Sequence, residues 1–140
     1  MRRSSGRPDR NAARASLLTG AYIAAAGLAL LFAPLKTFGM LFSTSTIAKG
    51  WIQVFGVLCC AFGCYYIGAG RRDADGLRAF YQSTVVGRLG IFMAFGVLVA
   101  RGAVESGLLL LGLVNAAGAA LMWSALAKDE EAAQGGARVA

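Results

Sequence analysis

The chain has 140 residues, of which 57% are hydrophobic and only 15% charged, with 19 glycines and a formal net charge of +7. Soluble domains carry about 25% charged residues and disordered chains need low hydrophobicity, so the composition argues against both classes. The basic residues flank apolar stretches instead of alternating with aromatic side chains, which argues against nucleic acid as a partner. We therefore expect a single membrane-embedded domain.

Residues 1–16 form a basic N-terminal segment ahead of the first apolar stretch. The segment has five arginines and one acid, Asp9, among serines and alanines. Organellar presequences share this composition, and so do cytosolic anchors that follow the positive-inside rule. We favour the anchor, whose arginines would also contact anionic lipids.

Four apolar segments follow, and together they form a predicted transmembrane domain over residues 17–127. Each has about the 20 apolar residues that a helix with a rise of 1.5 Å per residue needs to cross the hydrocarbon core. Backbone groups in lipid must be paired within the segment, which favours helices. The predicted fold is thus all-α, an integral membrane four-helix bundle with spans at 17–33, 51–70, 79–100 and 106–127. Residues 128–140 form a polar C-terminal tail that we expect to be flexible.

The connections and the charges predict the topology. The short polar loop at residues 71–76 and the turn near Arg101 favour antiparallel neighbours. Ten of the 14 basic residues precede the first span, separate the second from the third, or follow the fourth, whereas Lys36, Lys49 and Arg101 lie on the other face. The positive-inside rule then places both termini on the inner face. We expect an organellar inner or thylakoid membrane, or a bacterial inner membrane, with the termini in the matrix, stroma or cytoplasm.

Small residues recur every four positions within the spans, and we predict that they mediate helix packing. Such ridges let helix backbones approach closely in lipid. The partner helix could belong to this chain or to another subunit. The predicted packing residues are Gly56, Cys60, Cys64 and Gly68 in the second span, and Gly112, Ala116, Ala120 and Ser124 in the fourth.

Arg88 is the one charge that the topology does not explain, because it lies near the middle of the third span. A charge at that depth costs at least about 2.5–3.5 kcal/mol, so it normally faces a bundle interior or a water-filled cavity. Reflection through the turn near Arg101 predicts Asn115 at the same depth. A polar cluster of Arg88, Asn115, Thr84 and Tyr65 or Tyr66 follows. It is interpreted either as a satisfied buried arginine that acts as a packing pin, or as a site for an anion, a headgroup or a partner's carboxylate.

The sequence offers no catalytic chemistry. It has no histidine, and its three cysteines, Cys59, Cys60 and Cys64, all lie in the second span without paired metal-ligand spacing. No nucleophile–base pair or phosphate-binding loop is present. We predict neither an enzyme nor a metal site, and no cofactor. Lipid, quinone or pigment at the periphery is compatible with the sequence.

Four segments carry a resemblance to a known family: Gly50–Gly56, Tyr65-Tyr66, Phe80–Arg88 and Gly112–Ala119. They resemble small four-helix membrane proteins of the DoxX-like type, and the resemblance covers residues 17–127. The resemblance implies a four-helix bundle and, in some members, association with quinol-oxidising or redox complexes. It also implies an acid opposite Arg88, where this chain has the amide of Asn115.

Two functional hypotheses result. The favoured one is a non-catalytic accessory or structural subunit that packs with other membrane subunits in a larger complex, for example a respiratory or photosynthetic one. The alternative is a small carrier, or a lipid- or quinone-binding protein, centred on Arg88.

Overall fold

The computed structural model describes residues 9–71 and 77–137, and within these ranges it is all-α without strands. The all-α prediction is therefore confirmed. The helices are α1 (Arg10–Phe32), α2 (Pro34–Phe38), α3 (Lys49–Arg71), α4 (Leu77–Ala100) and α5 (Gly107–Ala137).

Four of these helices are long and apolar enough to cross a membrane. They are Arg10–Phe32, Lys49–Arg71, Leu77–Ala100 and, within α5, Gly107–Gly135. Large apolar side chains lie on their outer surfaces, among them Phe32 and Val86, which are 85% and 72% exposed. Exposing such an apolar surface to water is unfavourable, whereas the hydrocarbon core of a membrane accommodates it. The molecule is thus a membrane protein.

We call the end of the molecule where α1 begins and where α3 and α5 end the basic face. The helix ends differ from the predicted segments on this face. α1 begins at Arg10 within the N-terminal segment, and α5 continues through the polar tail to Ala137. A polar composition does not by itself end a helix, since Lys, Glu and Ala are all good helix formers. The tail that we expected to be flexible is therefore largely helical within the described residues.

α1 and α3 pack through a series of glycines, and the order of their contacts is reversed. Cβ atoms built on Gly70, Gly63 and Gly56 of α3 would come within about 3 Å of Ala13, Ala24 and Gly27 of α1 respectively. The backbones are therefore so close that side chains on α3 would separate them. α1 is held against α3 along most of its length.

A small apolar core joins α1, α4 and α5 near the basic face. It contains Ala12 and Ala15 of α1, Tyr81 and Val85 of α4, and Ala119, Met122, Ala125 and Leu126 of α5. α4 also packs directly on α5. α3 and α4, which we expected to be neighbours, meet mainly through long side chains. The Tyr66 and Phe80 rings lie 5.8 Å apart, and the Tyr81 hydroxyl donates to the Ala69 carbonyl at 3.2 Å.

The connections at the opposite end are tied together. Pro34 occupies the first turn of α2, a position where its missing N–H is tolerated. The Ser43 N–H donates to both carboxylate oxygens of Glu105, at 2.9 and 3.0 Å. This hydrogen bond links the α2–α3 connection to the α4–α5 turn, where Gly102 adopts a φ of +68°.

Candidate binding site around Arg88

Arg88 lies where all four long helices meet, and only 4% of its surface is exposed. Its Nη1 donates to the Tyr22 hydroxyl of α1 at 3.2 Å, and its Nε donates to the Tyr66 hydroxyl of α3 at 3.4 Å. Its Cζ lies 5.2 Å from the centre of the Tyr66 ring, a cation–π contact. The fourth side is Gly118 of α5, where a Cβ atom would overlap the guanidinium.

The partners of Arg88 are neutral. Both hydrogen-bonded groups are phenol hydroxyls, and the ion pairs found along the described chain involve Arg78 instead. A guanidinium has five N–H groups, and here only Nε and Nη1 donate hydrogen bonds. Arg88 thus carries a charge that no carboxylate among the described residues neutralises.

The remaining nitrogen of Arg88, Nη2, has no hydrogen-bond partner among the described residues. Within residues 9–71 and 77–137, no enclosed side-chain nitrogen or oxygen lacks a hydrogen-bond partner. Nη2 donates no hydrogen bond to these residues and is not among such enclosed atoms, so it is not fully covered by the protein. The two N–H groups of Nη2 are therefore free to bind a further acceptor.

The predicted polar cluster is only partly assembled. The structure brings Arg88 and Tyr66 together. Thr84 and Asn115 instead donate to carbonyls of their own helices, Tyr81 at 2.7 Å and Leu111 at 2.9 Å. Tyr65 is 64% exposed and its ring contacts Phe62 edge-on. None of these three side chains forms a hydrogen bond with the guanidinium.

Two residues of the site, Tyr22 and Gly118, are absent from the predicted cluster. The prediction of Asn115 paired residues that are equally far from the α4–α5 turn, and so compared only backbone depths. An arginine side chain in a helix, however, extends toward the helix N-terminus. On α5 that direction raises the residue number, so the guanidinium lies at Gly118, about one turn beyond Asn115.

The predicted ridges divide between inner and outer surfaces. On α3, Gly56 packs against α1 and the Cys60 thiol donates to the Ala24 carbonyl at 3.8 Å. Cys64 is exposed, and a Cβ atom at Gly68 would have no neighbour within 4 Å. A spacing of four residues drifts around the helix, whereas a spacing of seven stays on one face. The glycines of α3 that pack against α1 are accordingly Gly56, Gly63 and Gly70.

The ridge of α5 divides in the same way. Gly112 is buried against Phe92, with 3.3 Å between the added Cβ atom and the ring. Ala116 is half-buried, whereas Ala120 and Ser124 are exposed. The Ser124 hydroxyl donates to the Ala120 carbonyl of its own helix at 2.8 Å. The outer halves of both ridges therefore remain available to lipid or to another helix.

The three cysteines of α3 are free thiols, and the described residues contain no cluster of three or more metal-ligating side chains. The comparisons with known proteins give no further information, since no family model, curated protein or solved structure matches the chain. The DoxX-like resemblance therefore stays a prediction. The functional argument depends on the arrangement of the chain's own residues.

Proposed function

We propose that this protein binds a membrane-soluble ligand through an anionic or carbonyl oxygen at Arg88, as a small carrier or a lipid- or quinone-binding protein. One observation carries the proposal. Arg88 is buried among four helices, has only neutral hydroxyl partners, and retains a free Nη2.

The energetics favour a ligand over a purely structural role. A pin between helices needs only a neutral polar side chain, whereas a charge in the hydrocarbon core adds a desolvation penalty. Two tyrosine hydroxyls solvate the cation only in part. An incoming anion would neutralise it and accept charge-assisted hydrogen bonds from the planar fork. The favoured ligand class is a single-chain or two-chain lipid with an acidic head, and a quinone carbonyl is the neutral variant of the same chemistry.

We also propose that the chain forms an antiparallel four-helix bundle with both termini on the inner face of the membrane. The reversed order of contacts between α1 and α3 supports it. So does the pairing of Gly112 with Phe92 and of Gly118 with Arg88 between α4 and α5. The basic residues flanking the spans favour the inner orientation. An organellar or bacterial inner membrane fits that charge distribution.

Thermal unfolding of the purified full chain in neutral detergent tests the ligand proposal. Oleate supplies a carboxylate on an apolar chain, oleyl alcohol is the matched neutral compound, and decylubiquinone probes the carbonyl variant. A ligand at one hundred times its Kd stabilises the folded state by about 2.7 kcal/mol. We expect oleate to raise the Tm of the wild-type protein and oleyl alcohol to leave it unchanged.

The variants Arg88→Gln and Arg101→Gln form a matched pair. Both remove one arginine from the molecule, but Arg101 is exposed at the α4–α5 turn. We expect the response to oleate to disappear in Arg88→Gln and to persist in Arg101→Gln. An equal response in the two variants would show that oleate binds elsewhere, and the proposal would fail.

The second candidate function is a non-catalytic accessory subunit, and a specific surface favours it. Cβ atoms added at Gly87 and Gly90 of α4 would meet nothing within 4 Å, and both residues are exposed. Another membrane subunit could approach closely there, as the DoxX-like resemblance to redox-associated proteins suggests.

Purification in a gentle detergent tests the accessory role. Gly87→Leu combined with Gly90→Leu should release a co-purifying membrane partner, whereas Gly96→Leu, on a different face of α4, should retain it. Purification of the wild-type chain without any partner would count against this second candidate.

A further inference from the structure

We infer that the groove between α1 and α5 at the basic face binds the headgroup of an anionic phospholipid. The groove has a volume of about 250 Å³. Its lining comes from both helices: Asn11, Arg14, Ala15 and Leu18 of α1, and Leu121, Ser124, Ala125 and Lys128 of α5. This site is separate from Arg88 and does not depend on the proposed function.

The groove combines a basic mouth with an apolar trough. Ala15 and Ala125 are buried and belong to the same apolar core. Arg14 and Lys128 line the end nearest the termini, while Leu18 and Leu121 line the end nearer the membrane centre. At 1.5 Å per residue the leucines lie about 6 and 10 Å deeper along their helices. A phosphate at the mouth would thus have its acyl chain against exposed leucine side chains.

The charges of the basic face leave these two cations without anionic partners. The Asp129 carboxylate accepts from the Ala12 N–H at 2.9 Å and from both nitrogens of Asn11. Asp9 and Glu130 both pair with Arg78, at 3.4 and 3.0 Å. Neither Arg14 nor Lys128 forms an ion pair with any described residue. An anion in the groove would therefore meet two free cations.

The shape of the groove identifies the occupant as a lipid. A free phosphate would occupy only the basic mouth and would leave the open, mostly apolar trough below it uncovered. A phospholipid supplies the anion and the apolar chain together. Each interfacial cation contributes about 1 kcal/mol of attraction to an anionic lipid, or about fivefold in affinity, so removing both should weaken binding about 30-fold.

Native mass spectrometry of the full chain, released from micelles containing equal amounts of phosphatidylglycerol and phosphatidylcholine, tests the inference. We expect the wild-type protein to retain phosphatidylglycerol preferentially. The double variant Arg14→Gln/Lys128→Gln should lose this preference by about 30-fold. The matched control Arg10→Gln/Arg71→Gln removes the same charge from exposed positions outside the groove and should keep it.

A second variant separates the groove from general surface charge. Ser124→Phe leaves both cations in place and fills the trough, and Ser124 bonds only its own helix, so the fold should persist by circular dichroism. We expect it to reduce phosphatidylglycerol retention, and 10 mM inorganic phosphate not to displace the lipid. Equal loss in the groove and control double variants, displacement by phosphate, or no preference for phosphatidylglycerol would each overturn the inference.

Discussion

The two tyrosines that contact Arg88 interact with it differently. Tyr66 accepts a hydrogen bond and also presents its ring face to the guanidinium, whereas Tyr22 only accepts a hydrogen bond. Tyrosine can therefore be replaced by phenylalanine at position 66 with the cation–π contact kept. The two contributions are separable by single substitutions.

We predict that Tyr66→Phe lowers the free energy of unfolding by about 1.5–3 kcal/mol, the range for a hydrogen bond to a charged group. Arg88→Gln should cost less than the about 3–5 kcal/mol of a broken buried ion pair, since no pair is broken. Unfolding in mixed micelles measures both. Tyr65→Phe is the control, because Tyr65 is exposed and contacts Phe62 rather than Arg88. A loss of about 3–5 kcal/mol or more for Arg88→Gln would identify the arginine as a structural pin.

At the scale of the element, the α1–α3 pair depends on glycines that the predicted ridge only partly contains. A Cβ atom on Gly63 would lie 2.7 Å from the Ala24 Cβ and 2.8 Å from the Ala24 nitrogen. A Cβ atom on Gly68 would meet nothing within 4 Å. The same substitution should therefore have opposite effects at these two positions.

We predict that Gly63→Ala lowers the stability by about 1–3 kcal/mol through overpacking. Gly68→Ala should raise it by up to about 1 kcal/mol, because alanine is the better helix former. Thermal unfolding in the same detergent gives both values. Equal effects at the two sites would show that α1 and α3 do not pack through Gly63.

Asp129 connects the end of α5 to the beginning of α1, since its carboxylate accepts from the first backbone N–H groups of that helix. This is a capping interaction made by a distant part of the chain. We predict that Asp129→Ala costs about 0.5–2 kcal/mol and speeds proteolysis of the N-terminal segment. Glu131→Gln, at an exposed position on the same helix, should change neither quantity. Unaltered proteolysis of Asp129→Ala would argue against the cap.

For the whole molecule, the sequence predicts the helices better than their contacts. Hydropathy and span length identify four membrane helices, because hydrocarbon constrains both strongly. The sequence predicts less well which helices pack together. The short loop before Leu77 suggests that α3 packs on α4, whereas the closest packing of α3 is on α1. The residues that surround Arg88 are the hardest to predict from the sequence. The extension of a long side chain along the helix shifts the contact from Asn115 to Gly118.

The proposed topology makes a prediction for single cysteines in a chain with Cys59, Cys60 and Cys64 replaced by alanine. Ser45→Cys lies in the α2–α3 connection and Ala132→Cys lies in the last turns of α5, and both positions are exposed. A membrane-impermeant maleimide added to sealed inside-out vesicles should label Ala132→Cys and spare Ser45→Cys. The opposite pattern would place the termini outside, and labelling of both in intact vesicles would contradict a four-span topology.

The central claim is that Arg88 offers an unneutralised positive charge to a ligand, and a carboxylate supplied by the chain itself tests it most directly. Tyr22→Glu introduces a carboxylate at the residue whose neutral hydroxyl now lies 3.2 Å from Nη1, and Tyr22→Gln is its neutral counterpart. The measurement is the change in Tm on adding oleate to each variant. We predict a rise for the wild type and for Tyr22→Gln and none for Tyr22→Glu, and an equal rise in all three would contradict the claim.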